Sequence, residues 1–135
     1  MAALTSGRNT PEFAEAGRLL VLPVAADAVI YEGSIVVLDA TGYAKPATKA
    51  ADLTAAGRAE TFVDNRGGAA GEKTVEVARG VFLWDNSATN KVKPEHLLKP
   101  CYILDDQTVT SLETGSSVAG KVVSITDDQV AVEIR

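Results

Sequence analysis

Side chains able to do covalent or acid/base chemistry are scarce in this chain of 135 residues, which holds one histidine and one cysteine. His96 follows Glu95, a pairing suited to proton transfer because imidazole titrates near neutrality. Without a second histidine, a metal ion there would need three carboxylates from elsewhere, and the flanking prolines Pro94 and Pro100 place His96 on a short surface turn. Cys101 opens an apolar run with Tyr102 and Ile103, where a thiol behaves as a small hydrophobe, and the sequence offers it no base. A lone cysteine also excludes an internal disulfide and any metal cage built on cysteine.

Two further patterns invite a chemical reading. Gly67-Gly68-Ala69-Ala70-Gly71-Glu72-Lys73-Thr74 looks like a damaged phosphate-binding loop. A working loop needs glycine next to lysine and a helix behind it, whereas here Glu72 intervenes and Thr74-Val75-Glu76-Val77 alternates like a strand. A glycine-rich hairpin loop is the expectation. The pairs Asp105-Asp106 and Asp127-Asp128 would offer hard oxygens to calcium if their turns met, but the spacing of a calcium loop is absent and solvated turns account for both. Ser34, Ser87, Ser111, Ser116 and Ser117 lack the Gly-x-Ser-x-Gly context of a nucleophile elbow. No catalytic residue, metal or cofactor is expected, and no enzymatic turnover.

The elements that would carry these residues are short. From Arg18 onward, apolar runs are separated by Gly, Pro, Asp and Asn every eight to twelve residues, the spacing of an all-β sandwich or barrel. Strands are predicted over 19–24, 35–38, 43–46, 58–63, 74–84 and 101–104. Asp39 and Gly42 suit the ends of a type I turn. Residues 48–57 read as a short helix capped by Thr48 and stopped by Gly57, or equally as a loop, and 93–100 as one helical turn. In the run 74–84, Val75, Val77, Val81 and Leu83 fall in one phase, with Arg79-Gly80 interrupting as a bulge or a close backbone approach. A two-residue loop at Asp127-Asp128 pairs Ile125 with Val130 and Val123 with Val132, putting four apolar side chains on one face.

Composition sets the scale of the core. The chain is one domain by length, and residues 18–135 are expected to form a single β domain behind an arm of residues 1–17. Ala and Val dominate the apolar residues and only seven side chains are aromatic, so the core should be thin and built of small residues. Apolar positions such as Phe82 and Trp84 are then left for a second copy to cover, which predicts a homo-oligomer, a dimer or a trimer. A net charge of −5 with scattered basic residues disfavours nucleic acid, and no apolar run reaches the length of a membrane span. The arm is polar and without period, apart from one possible helical turn opened by Thr10 and Pro11. Its Arg8, Asn9, Thr10 and Glu12 offer polar contacts to a partner, and Phe13 one apolar anchor of about 1.5–3 kcal/mol when buried.

The order of several short motifs carries a resemblance. Arg8-Asn9-Thr10-Pro11-Glu12 is followed by Leu22-Pro23-Val24-Ala25-Ala26, by Gly33 with Val36-Val37-Leu38-Asp39, and by Gly42-Tyr43-Ala44-Lys45-Pro46-Ala47. Gly57-Arg58-Ala59-Glu60, Val63-Asp64-Asn65, Gly67-Gly68-Ala69 and Arg79-Gly80-Val81-Phe82 continue it. Over residues 8 to 104 the chain resembles the capsid cement, or head decoration, proteins of tailed bacteriophages, including those of Mu-like prophages. That resemblance implies a small barrel or jelly-roll-like protein made in the cytoplasm of the bacterial host. It would sit on the exterior of the virion capsid, bridging subunits of the major capsid protein. A phage tail component and a ligand- or carbohydrate-binding β module are the alternatives, the latter needing exposed aromatics on one face.

Overall fold

A computed structural model of the chain describes residues 3, 5–9, 18–126 and 128–135. The fold is all-β. Among the described residues twelve strands follow in order: β1 (Leu19–Pro23), β2 (Val29–Ile30), β3 (Ile35–Leu38), β4 (Ala44–Pro46), β5 (Thr54–Ala59), β6 (Val63–Asp64), β7 (Thr74–Ala78), β8 (Gly80–Asn86), β9 (Pro100–Ile103), β10 (Thr108–Thr110), β11 (Val118–Thr126) and β12 (Gln129–Ile134). A 3-10 turn, Pro94–His96, occupies the segment expected to hold one helical turn. Strands β2 and β10, of two and three residues, are too short to leave a readable pattern and were not anticipated from the sequence.

The strands form two bodies. One is a five-stranded sheet in the order β1-β7-β5-β3-β4, and the other is a closed barrel in the order β10-β8-β12-β11-β9, with β10 and β8 parallel. Strands β2 and β6 make a separate antiparallel pair. β3 divides the interior: Ile35 and Val37 join the barrel's core with Trp84, Ile103, Val122 and Val132, while Val36 joins a second core with Val24, Ile30, Val75 and Val77. A continuous apolar run is what a strand buried on both faces requires. Both cores are Val-, Ala- and Ile-rich, and Trp84 is the one buried aromatic among the described residues.

Local chemistry explains the turn after β3. The N–H of Gly42 donates to the carbonyl of Asp39 at 3.0 Å, and the Asp39 carboxylate accepts from the Thr41 N–H at 2.9 Å and its hydroxyl at 2.7 Å. The hydroxyl bond leads in lowering the Asp39 pKa. Asn86 performs a similar service in the barrel, where its side chain accepts from the Val92 N–H at 2.8 Å and donates to the Val92 carbonyl at 3.0 Å. That pins an irregular segment as a strand neighbour would.

Four expectations need correction. Residues 48–57 contain no helix: 54–59 is β5, paired with β3 and β7. Its small side chains serve the close approach of β7, since a Cβ on Gly57 would lie 2.1 Å from the Ala78 carbonyl oxygen. The predicted strand over 58–63 is two pieces, the end of β5 and the start of β6. The run 74–84 is likewise two strands in different sheets, and the chain crosses from sheet to barrel at Arg79-Gly80. The crossing shifts the phase by one residue. Val75 and Val77 are buried, but beyond it Trp84 is buried and Val81 and Leu83 face solvent. Finally, the last hairpin keeps Ile125 opposite Val130, but a bulge at Val123 sets Val122 rather than Val123 opposite Val132.

Candidate functional site

The chemical residues are each absorbed by the fold. His96 Nδ1 accepts the N–H of Lys93 at 2.8 Å, so the imidazole caps its own turn, and its Nε2 stands 3.9 Å from Glu95. Cys101 is buried in the barrel on β9, and burial pushes its thiol up to about 12, far from the thiolate a nucleophile needs. The glycine-rich segment does not join a hairpin, because β6 pairs with β2 and β7 with β1. Its amides are spent internally: Gly67 donates to Asp27 at 2.8 Å, Ala69 to Glu72 at 2.9 Å and Gly71 to the Val24 carbonyl at 2.8 Å. No N–H cradle of the phosphate-binding kind is left at these positions.

Gln107 and Asp128 meet at the end of β8. The N–H of Asp85 donates to the Gln107 carbonyl and that of Asn86 to the Asp128 carbonyl, each at 2.9 Å. Asp127 lies outside the described residues. Asp105 accepts the Gln107 N–H at 2.9 Å, and partial burial, then the charge of Asp105, raises the Asp106 pKa. Among the described residues no three His, Cys, Asp or Glu side chains gather as metal ligands. Two of the buried serines hold loops, and Ser87 does so by accepting the Asn90 N–H at 3.3 Å. Ser117 donates to the Ala50 carbonyl at 2.7 Å and accepts from the Leu53 N–H at 3.0 Å, tying the loop before β5 to the barrel.

Solvent instead meets large apolar side chains in several places. The first is a pair of rings. Tyr31 and Phe62 extend the β2–β6 ladder by one cross-strand position, with centroids 5.5 Å apart and planes at 43°. They are 62% and 54% exposed. Beside them Arg66 donates to both oxygens of Asp64, at 3.0 and 2.6 Å, and these bonds depress the Asp64 pKa to about 2. The second is a groove of about 470 Å³ walled by Leu53, Leu98, Pro100, Val118 and Ile134. Leu98 there holds a left-handed φ of 62° and is 69% exposed, an unusual posture for a branched apolar residue. The third is the edge of the five-stranded sheet at β1, where Leu19 and Val21 face solvent.

The residues expected to bind partners fare unevenly. Arg8 and Asn9 are exposed and outside any strand, while Thr10, Glu12 and Phe13, with the possible turn at Pro11, lie outside the described residues. Phe82 and Trp84 are not left for a second copy. Trp84 is buried, and Phe82 is half-buried between Trp84, 6.1 Å away edge to face, and the Arg58 guanidinium, 4.5 Å above its ring. The one-residue phase shift at Gly80 turns them inward and exposes Val81 and Leu83 in their place. Tyr31, Phe62 and Leu98 were missed by sequence reasoning. Their only signal was a bulky apolar residue set among turn formers, as in Tyr31-Glu32-Gly33. Comparison with protein-family models, curated proteins and solved structures gave no match.

Proposed function

We propose that this protein is a virion structural protein of a tailed bacteriophage. In this reading it binds the outer surface of the capsid and stabilises it by bridging major capsid protein subunits, working by contact and not by turnover. The observation that supports this best is the exposed Tyr31–Phe62 pair, because rigid aromatics presented together to water are typical anchors of protein interfaces. The all-β body suits the role mechanically, since two close-packed cores joined through β3 resist deformation under load from the subunits it touches. The arm, with Arg8, Asn9, Thr10, Glu12 and Phe13, adds reach. Ordering about a dozen residues costs on the order of 1 kcal/mol each, so its contribution depends on many copies engaging one shell at once.

The test is reconstitution. Purified protein is added to phage shells that lack it, and occupancy is measured by electron microscopy for the full chain, for Tyr31→Ala/Phe62→Ala and for a deletion of residues 2–17. Full-chain density on the outer surface, with reduced occupancy for both variants, is the expected result; no density on any shell refutes the reading. The same two rings also favour a second reading, a carbohydrate-binding module, since exposed aromatics stack on sugar rings. Binding on a glycan array that the double alanine variant abolishes would select it.

A further inference from the structure

The edge of the five-stranded sheet carries more information than its exposure alone. The N–H of Arg79 donates to the Arg18 carbonyl at 2.7 Å and the N–H of Val24 to the Lys73 carbonyl at 2.9 Å, while the register pairs Leu19 with Ala78 and Leu22 with Val75. Antiparallel ladders alternate, so Arg18, Leu20, Leu22 and Val24 exchange their bonds with β7, and Leu19 and Val21 turn N–H and C=O to the opposite side. Among the described residues no strand flanks β1 on that side, apart from the bridge of Val24 to Ala44 at its far end. The side chains of Leu19 and Val21 are 49% and 62% exposed. The strand, Leu-Leu-Val-Leu-Pro, has none of the charges that usually guard such an edge; only Pro23, at its end, lacks an outward N–H.

We propose that this edge is a self-pairing seam, on which a second copy of the chain lays its own β1 antiparallel about a two-fold axis at Leu20. The strand's own groups select that register. Centring the axis on Leu20 sets Leu19 opposite Val21 of the second copy, and every outward N–H and C=O of those two residues finds a partner in four bonds. Centring it on Val21 sets Leu19 opposite Pro23, which has no N–H to offer, and leaves the Leu19 carbonyl unanswered. In the Leu20 register the exposed side chains of Leu19 and Val21 also face each other, and the half-buried Leu20 meets its own copy. Arg18 faces Leu22, so the two arginines stand about four residues, or roughly 14 Å, apart along the seam. The result is one continuous ten-stranded sheet. The proposal is independent of the capsid reading because it concerns the free protein.

The contact is small, so the dimer should be reversible and concentration-dependent. Sedimentation velocity on the full chain from about 1 µM to about 1 mM, the range of weak association, should show a monomer giving way to a dimer. Val21→Pro is the decisive variant. It removes an N–H that points outward and plays no part in the bonds to β7, so the circular dichroism spectrum should stay unchanged while dimerisation weakens at least tenfold. Leu20→Cys should form a disulfide-linked dimer under mild oxidation, because the non-hydrogen-bonded pair at the axis holds its Cα atoms about 4.5 Å apart. Val21→Cys, whose opposite residue is Leu19, should not. A wild type that stays monomeric throughout overturns the proposal. So does a folded Val21→Pro variant that dimerises as well as the wild type.

Discussion

Replacing Gly57 by alanine tests the tightest joint in the fold. The new Cβ would stand 2.1 Å from the Ala78 carbonyl oxygen and 2.9 Å from both its carbon and the Val77 side chain, and the backbone there has a φ of 150° that L-residues rarely adopt. Two costs therefore combine, and two other glycines separate them. Gly33 has a φ of 88° with nothing near its Cβ position, so Gly33→Ala meets conformational strain alone, about 1 kcal/mol. Gly120 has no such φ, but its Cβ would lie 2.3 Å from the Glu133 carbonyl oxygen, so Gly120→Ala meets overpacking alone, about 1–3 kcal/mol. Gly57→Ala meets both, about 4 kcal/mol. Unfolding entropy for a chain of 135 residues makes each kcal/mol worth about 3.5 °C, so the expected fall in melting temperature is about 14 °C. Calorimetry on the three variants gives the ranking directly. If Gly57→Ala melts within about 2 °C of the wild type, or no lower than Gly33→Ala, the claim that β5 and β7 need glycine at their crossing is wrong.

Three further outcomes are expected. Asn65 is buried and its amide donates to the carbonyls of Ala25 at 2.9 Å and Ala69 at 3.1 Å, so Asn65→Ala should cost about 2–3 kcal/mol by urea denaturation, with Asn65→Asp no better. The Cys101 thiol, raised by burial to about 12 from an ordinary 9, should resist alkylation at pH 8 until the protein unfolds. Because the folded state keeps that proton longer than the unfolded state, the linked stability is whole below pH 9 and declines as pH rises from 9 towards 12, by at most about 1.4 kcal/mol per unit. Asp64 should titrate by NMR near pH 2, and Arg66→Ala should move it up towards 3.8, since the Arg66 side chain is the main cause of the depression.

What the sequence determined by itself was whatever depends on near neighbours. The Asp39–Gly42 turn is built from bonds spanning four residues or fewer, and the buried strand at Ile35–Leu38 announces itself as an unbroken apolar run. The all-β class followed from turn residues recurring at short intervals, and the small-residue cores from a composition rich in Ala and Val. Tertiary structure decided the rest. Ala55-Ala56-Gly57 has no strand propensity of its own and is extended because β3 pairs with Ala55 and Gly57, while β7 holds Arg58 and Ala59 just beyond. Period-two alternation is the same whether a run stays in one sheet or crosses to another, so the switch at Gly80, and with it the inward turn of Trp84, was invisible. Val122 and Val123 are chemically alike, so only the pairing with β12 could say which of them is the bulge. The exposed surfaces obey the same limit: Tyr31 and Phe62 stand 31 residues apart in sequence and become one feature only when Ile30 pairs with Val63. A binding surface is a statement about which side chains the core had no room for, and that is settled by packing across the whole molecule.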